Sequence, residues 1–197
     1  MSKLNSLLTS VLLGVLPMSA AANDTSLYAD AAPEDASFVR FVGFQDQTSA
    51  EFAGKVFELG RDVHEAYVPV SSAKLQNVEA GSFLTVVKGQ GGETTVIAED
   101  KRSNRAKIAL VLVNATDRVL DLRLADGSTP VIQDVASMTS GLRAVNPVQI
   151  SLGVFDDADG SLLARFDVSM KRGQNLTFLA DETGVRLVEN RFAAVAD

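Results

Sequence analysis

The chain predicts an all-β fold of two small β-sandwich-like domains, and three observations carry that reading. Apolar residues recur at a spacing of two in short runs, Gly, Asn, Asp and Ser separate the runs, and long stretches at helical spacing are hard to find. The clearest example is Val119-Leu120-Asp121-Leu122-Arg123-Leu124, where a period of two places Leu120, Leu122 and Leu124 on one face and Asp121 and Arg123 on the other. Before it, Lys107-Ile108-Ala109-Leu110-Val111-Leu112-Val113-Asn114 reads as a strand that ends in the polar turn Ala115-Thr116-Asp117-Arg118. After it, Ala125-Asp126-Gly127-Ser128 supplies Asp-Gly turn chemistry.

In chain order, the first domain draws strands from residues 37–42, 55–59, 65–68, 74–78, 82–88 and 94–98. Gly89-Gln90-Gly91-Gly92 is the hairpin turn between the last two; a phosphate loop would need a Lys-Ser/Thr ending and a helix after it. The second domain adds strands at 107–114, 119–124, 148–155, 161–168, 175–180 and 185–189, with Pro147 as an entry residue that owes no ladder hydrogen bond. Between the halves, Glu99-Asp100-Lys101-Arg102-Ser103-Asn104 forms a short polar joint. The expected division is therefore 1–22 as a leader, 23–98 and 105–197 as domains, and 99–104 as linker. So short a linker holds the halves close together.

Residues 1–22 read as a secretory signal peptide: Lys3 is the basic start, residues 7–16 the apolar core, and Ser19-Ala20-Ala21-Ala22 the cleavage site. The core falls short of the roughly 20 apolar residues that span a bilayer. Removing 22 residues from 197 leaves 175, enough for one large domain or two small ones. The chain has no cysteine, so an exported protein of this sequence must rely on packed cores instead of disulfides. Its net charge of −7 becomes −8 once Lys3 is lost, and it has no Lys/Arg cluster of the kind that holds nucleic acid. A polyanion is repelled at long range, so contact with one needs a local basic patch.

The order of several blocks resembles the AlgF family, the small periplasmic component of the bacterial alginate O-acetylation machinery. The blocks are Leu27-Tyr28, Ala32-Pro33, Ser37-Phe38-Val39-Arg40, Val68-Pro69-Val70-Ser71-Ser72, Ala80-Gly81-Ser82-Phe83, Asn104-Arg105-Ala106-Lys107, Asn114-Ala115-Thr116-Asp117, Ala125-Asp126-Gly127 and Val145-Asn146-Pro147-Val148. They extend over nearly the whole mature chain. Gly43 departs from the family, in which asparagine is common there, and residues 45–65 and those after Asp181 match poorly. The resemblance implies a periplasmic location and, as partners, a membrane acyl-donor protein and SGNH-like acetyltransferases that place acetyl groups on mannuronate hydroxyls. It implies no cofactor.

A serine-type acyl transferase needs a nucleophile, a histidine and a carboxylate to orient it. The single histidine, His64, stands in Arg61-Asp62-Val63-His64-Glu65, which is Asp-x-His and not Asp-x-x-His, and no Gly-Asp-Ser block occurs. The expectation is a non-catalytic adaptor, with catalytic residues none. Asp156-Asp157-Ala158-Asp159-Gly160 invites a calcium loop, but with Gly160 sixth in an EF-hand register, Phe155 and Phe166 fall at the first and twelfth positions, so a hairpin turn is expected and no metal. Asn114-Ala115-Thr116 and Asn175-Leu176-Thr177 fit the glycosylation pattern, which recurs by chance.

The candidate partner- or polymer-binding residues are Arg40, Arg102, Asn104, Arg105 and Lys107, expected to form a basic strip near the joint, with possible polymannuronate contact through charge-assisted hydrogen bonds. Two other readings stay open. One is a uronate-binding module, against which the absence of Trp and the presence of only Tyr28 and Tyr67 weigh. The other is a covalent acetyl relay on Ser71-Ser72, for which no base is positioned by the sequence.

Overall fold

The computed structural model describes residues 31–102, 104 and 106–196. The expected signal segment and Arg105 lie outside the described residues. Fourteen strands are described: β1 (Ala36–Val42), β2 (Ser49–Phe52), β3 (Lys55–Glu58), β4 (Tyr67–Ser71), β5 (Phe83–Lys88), β6 (Thr94–Glu99), β7 (Ile108–Asn114), β8 (Leu120–Leu124), β9 (Pro130–Val135), β10 (Thr139–Val145), β11 (Gln149–Asp156), β12 (Leu162–Ser169), β13 (Leu176–Asp181) and β14 (Gly184–Glu189). They form a first sheet of order β4-β1-β5-β6, a middle sheet β10-β7-β13-β14, a last sheet β12-β11-β8-β9, and a separate β2-β3 hairpin. The protein is all-β, as the alternation predicts, and among the described residues no helix is long and apolar enough to cross a membrane.

The continuous apolar run of β7 is explained by where it sits. A strand buried on both faces needs no polar alternation, and every residue of β7 is buried. Ile108, Leu110 and Leu112 join an apolar core with Leu120, Leu122, Leu152, Val154 and Phe178, between the middle and last sheets. The alternate residues Ala109, Val111 and Val113 face the other way, onto Val42, Val87 and Ile97 of the first sheet. A third core lies on the outer face of the first sheet, where Val39, Phe41, Val68 and Val86 meet Ala50 and Phe57 of the hairpin. The layers therefore run hairpin, first sheet, middle sheet, last sheet.

Several local expectations are met and others are displaced. The Gly89–Gly92 segment closes β5 on β6, and residues 157–161 close β11 on β12 with Asp156 and Asp159 carboxylates accepting from the Ala158 and Ser161 amides. The strand expected at 74–78 is replaced by a short 3-10 turn at Ser72–Lys74. Strands β2, β9 and β10 lie outside the runs that the alternation predicts. Glu99, expected to open the joint, is the last residue of β6 and is buried. Past β14 the chain returns to the first sheet: the Tyr67 amide donates to the Arg191 carbonyl at 2.9 Å, and the Ala193 and Ala196 amides donate to the carbonyls of Tyr67 and Pro69 at 2.8 and 2.9 Å. This tail runs along the free edge of β4.

Candidate binding site at a buried guanidinium pair

The site grows from the register of the first sheet. Arg40 is paired with Tyr67 on β4 and with Thr85 on β5, and Phe83 is paired with Phe38 and with Glu99, so Phe38, Arg40, Tyr67, Phe83, Thr85 and Glu99 share one face. That face is turned toward the middle sheet. At one end it is apolar, through Val42, Val87 and Ile97; at the other it carries charge.

The charge is buried. Arg40 is fully enclosed and donates from Nη2 to Glu99 Oε1 at 2.9 Å and from Nε to Thr85 Oγ1 at 3.0 Å. Glu99 also accepts the Thr85 hydroxyl at 2.6 Å and the Tyr67 hydroxyl at 2.7 Å on Oε2. Arg102 Nη2 reaches Glu99 Oε2 at 3.1 Å and the Tyr67 oxygen at 2.7 Å. Burial pushes the Tyr67 phenol far above the ordinary tyrosine range, against the pull of Arg40 and with the help of Glu99, so the hydroxyl stays protonated and donates to the carboxylate. Arg40 Nη1 extends the network at 3.4 Å to Asn190 Oδ1, which also accepts from the hydroxyl of Thr177 on the middle sheet at 2.8 Å. A charged network thus ties two sheets together.

An aromatic group covers this end. Phe38 stacks on Phe83 with centroids 4.6 Å apart, and Phe192 of the tail meets Phe38 edge-on at 5.4 Å and Tyr67 at 6.0 Å. The Arg102 guanidinium lies 4.1 Å from the Phe83 centroid and 4.7 Å from that of Tyr67, and Arg40 lies 4.5 Å from Tyr67, each within cation–π range.

The five sequence-predicted residues divide. Arg40 and Arg102 meet, but on Glu99 in the interior and not in an open strip, because a buried guanidinium must find a counter-charge and strand register supplies one. Asn104 is exposed and accepts the Ala106 amide at 3.1 Å, and the half-buried Lys107 binds Asn146 at 2.6 Å. Arg105 is outside the described residues. Glu99, Tyr67, Phe83, Phe192 and Asn190 escaped sequence reading. A phenylalanine in or beside a strand pattern reads as core, and the pairing of the tail with β4 spans too many residues for any local pattern to show.

Other chemistry-bearing groups are placed as follows. Ser71 Oγ donates to Asp35 Oδ2 at 2.8 Å, and the Ser72 hydroxyl donates to the Asp35 carbonyl at 2.6 Å. The hydrogen bond from Ser71, with one from the Ala73 amide, holds the Asp35 carboxyl below the usual carboxylate range, which makes it a weak acceptor of a serine proton. His64 lies half-buried in the turn between β3 and β4. Asn114 is buried, and its amide donates to the carbonyls of Arg118, Val135 and Ala136 at 2.7, 2.9 and 3.1 Å. That use of the amide leaves it no room for a glycan. Asp121, Asp134 and Asp157 bring carboxylate oxygens within 4.8 Å of one another, but Arg123 already engages Asp121 at 2.5 Å.

Fold and site define an all-β protein of layered sheets with a charged and aromatic network enclosed at one end of the first sheet. The family model described as "Alginate O-acetyl transferase AlgF" matches residues 10–177, and the chain belongs to the AlgF family. Its curated relatives named "Alginate biosynthesis protein AlgF" include one from Pseudomonas fluorescens, 29% identical over 180 residues that cover 82% of this chain and 80% of the relative. Another, from Pseudomonas aeruginosa, is 29% identical over 73% of this chain and 72% of the relative, and a third, from Azotobacter vinelandii, is 29% identical over 78% and 76%. A solved structure titled as the C-terminal domain of AlgF from P. aeruginosa aligns with 27% identity and a TM-score of 0.34, covering 43% of this chain and 97% of that one. The fold described above rests on the chain's own strands.

Proposed function

We propose that the chain is a non-catalytic periplasmic adaptor of the machinery that O-acetylates alginate, acting on polymer that carries mannuronate and working beside a membrane acyl-donor protein and SGNH-like acetyltransferases. The observation that supports this most is the meeting of its family-like blocks in space. Ser37 and Ser72 hydroxyls lie 2.8 Å apart, the Phe38 amide donates to the Ser82 carbonyl at 2.8 Å, Phe38 stacks on Phe83, and Arg40 is paired with Tyr67 just before Val68. What gathers there is a fixed set of guanidinium, carboxylate and aromatic groups, which recognises and holds; a proton-transfer pair would need a base matched to its nucleophile. The site residues Arg40, Arg102, Asn104, Arg105 and Lys107 belong to this reading, with the two modules joined at 99–104.

Deletion of the gene in an alginate-producing strain tests it. Polymer yield is expected to persist while the acetyl content falls to background; unchanged acetyl content removes the adaptor reading. Mass spectrometry of the purified chain after incubation with an acetyl donor and partner proteins tests the relay, which a transferable acetyl adduct on Ser71 or Ser72 would establish in its place.

A further inference from the structure

We propose that the free edge of β12 is a docking site for a partner protein, which adds an extended segment antiparallel to it, with a basic side chain opposite Asp167, an apolar one opposite Phe166 and an acidic one opposite Arg165. The inference rests on the adaptor reading and deepens it. An adaptor must hold more than one partner, and this edge belongs to the last sheet, with the middle sheet between it and the charged aromatic end of the first.

The state of the edge is the first argument. An unpaired strand edge carries a row of N–H and C=O groups that pair readily with another chain, and proteins blunt such edges with proline, bulges, short strands or a covering segment. Those devices protect the other described edges. β4 carries Pro69 and lies under the tail. β9 opens on Pro130, and its pairing with β8 is irregular in two places. The Ser140 hydroxyl of β10 donates to the Ala98 carbonyl of β6 at 3.0 Å, so those two edges face each other. β2 and β3 have four residues each, and β14 is a six-residue strand that opens on Gly184 at φ +127°. β12 has eight residues, contains neither proline nor glycine, is mostly exposed, and among the described strands pairs with β11 alone.

Charge is the second argument. Strand register places Arg165 opposite Gly153 and Asp167 opposite Ser151 on the outer face, where their side chains are 57% and 75% exposed and 3.5 Å apart. The Ser151 hydroxyl donates to Asp167, and Arg165 Nη2 donates to the Ser151 oxygen at 3.3 Å, so both charges are held in place along the edge. Opposite charges two residues apart specify a register: a slip of two residues either way sets like charges against each other. Phe166 between them turns inward, half-buried, and meets Phe178 edge-on with centroids 5.4 Å apart, so an apolar residue added beside it extends that core. At the start of β12 a cavity of about 530 Å³ opens between Leu163 and Val185, with room for a further side chain of the occupant. A second copy carries the same charge order, but two chains of net charge −7 repel each other, so the edge fits a different protein better.

The test is amide NMR of the intact mature chain titrated with a synthetic peptide of the sequence of residues 162–169, which carries the basic, apolar, acidic order, and with the same peptide after its arginine and aspartate are exchanged. The first peptide is expected to shift β12 and the facing residues of β11, and to bind at least about tenfold more tightly than the second. A chain with Arg165→Asp and Asp167→Arg, altered only at exposed positions, is expected to reverse that preference and, in a deletion strain, to leave alginate acetylation near the level of the deletion. Absence of peptide binding at β12, equal binding of the two peptides, or full acetylation by the folded variant would overturn the proposal. Dimerisation of the parent in sedimentation that the first peptide suppresses would overturn it too, by making a second copy the occupant. The deletion strain keeps the two readings apart: loss of acetyl groups on deletion together with no peptide binding at β12 removes the docking edge and keeps the adaptor, whereas peptide binding with acetylation intact on deletion removes the adaptor.

Discussion

In the first sheet β1 pairs antiparallel with β4 and parallel with β5, which pairs antiparallel with β6; in the middle sheet β7 pairs antiparallel with β10 and parallel with β13, which pairs antiparallel with β14. The two sheets follow one strand plan but differ in what is inserted between the strands. In the first, β2-β3 stands between β1 and β4, and only the 3-10 turn and a short loop separate β4 from β5. In the middle sheet β8-β9 and β11-β12 occupy the two intervals and assemble into a complete facing sheet. The consequence is thermodynamic. The second half closes a wholly apolar core, while the first completes its smaller one by borrowing Ala193 and Ala196 from the tail. It also leaves aromatic and charged groups at one end. The half with the smaller apolar core is the one that encloses the Arg40–Glu99–Arg102 network.

The contrast can be broken most severely at Glu99. Glu99→Ala strands two buried guanidiniums and should cost about 3–5 kcal/mol by urea unfolding. Replacing the charges together, Arg40→Met with Glu99→Leu and Arg102→Met, should recover part of that loss, the remainder being the cost of about 1–3 kcal/mol each for the Tyr67 and Thr85 hydroxyls left without these partners. A loss below about 1 kcal/mol for Glu99→Ala would mean that the charges reach water. In the apolar half, Leu122→Ala should cost about 3 kcal/mol, and no companion substitution of a charge will offset it.

Two smaller effects sharpen the comparison at the strand ends, where β1 runs into Gly43 and β7 ends in Asn114. Asn114→Ala removes the donor of three carbonyls and should cost about 2 kcal/mol in thermal or urea unfolding. Gly43 has φ +83°, and a Cβ there would lie 2.4 Å from the Lys88 carbonyl oxygen; Gly43→Ala should cost about 1–2 kcal/mol by the same measurement. The smallest effect is in acid. Burial alone would raise the Asp181 carboxyl, but hydrogen bonds from Thr183 and Arg186 outweigh it and hold it below its usual value. A carboxyl so depressed in the folded state stabilises above its unfolded value of about 3.9 and loses that contribution as pH falls through the lower, folded value. Asp181→Asn should lower the neutral plateau slightly and leave stability in strong acid, where the parent carboxyl is protonated, unchanged, so that the profile flattens below about pH 4; the effect is small because Arg186 is partly open to water, which screens the pair.

How legible each part was in the sequence follows from the range of the interactions behind it. β7 and β8 could be read because burial on two faces or one writes itself into local periodicity: unbroken in Ile108–Val113, alternating in Leu120–Leu124. β9 and β10 could not, since they carry Pro130 and Gly141, and Gly141 is there because Ile132 and Val135 lie against it, a Cβ falling 2.5 Å from Ile132 Cγ2. Arg40 was visible as a charge in a strand, but its partner Glu99 lies 59 residues on and reads locally as part of a polar joint. Phe192 gains its neighbours only because the tail returns to β4. Local chemistry marked the residues; pairing across the chain decided which of them met.

Acetyl content of alginate tests the central claim most directly, that the charged aromatic end of the first sheet is the working surface of the chain. It is to be measured in a deletion strain complemented with the full chain or with the Arg40→Met, Glu99→Leu, Arg102→Met variant, both confirmed at equal level. The parent should restore acetylation, and the folded variant should leave it at the level of the deletion strain. Full acetylation by the variant would contradict the account.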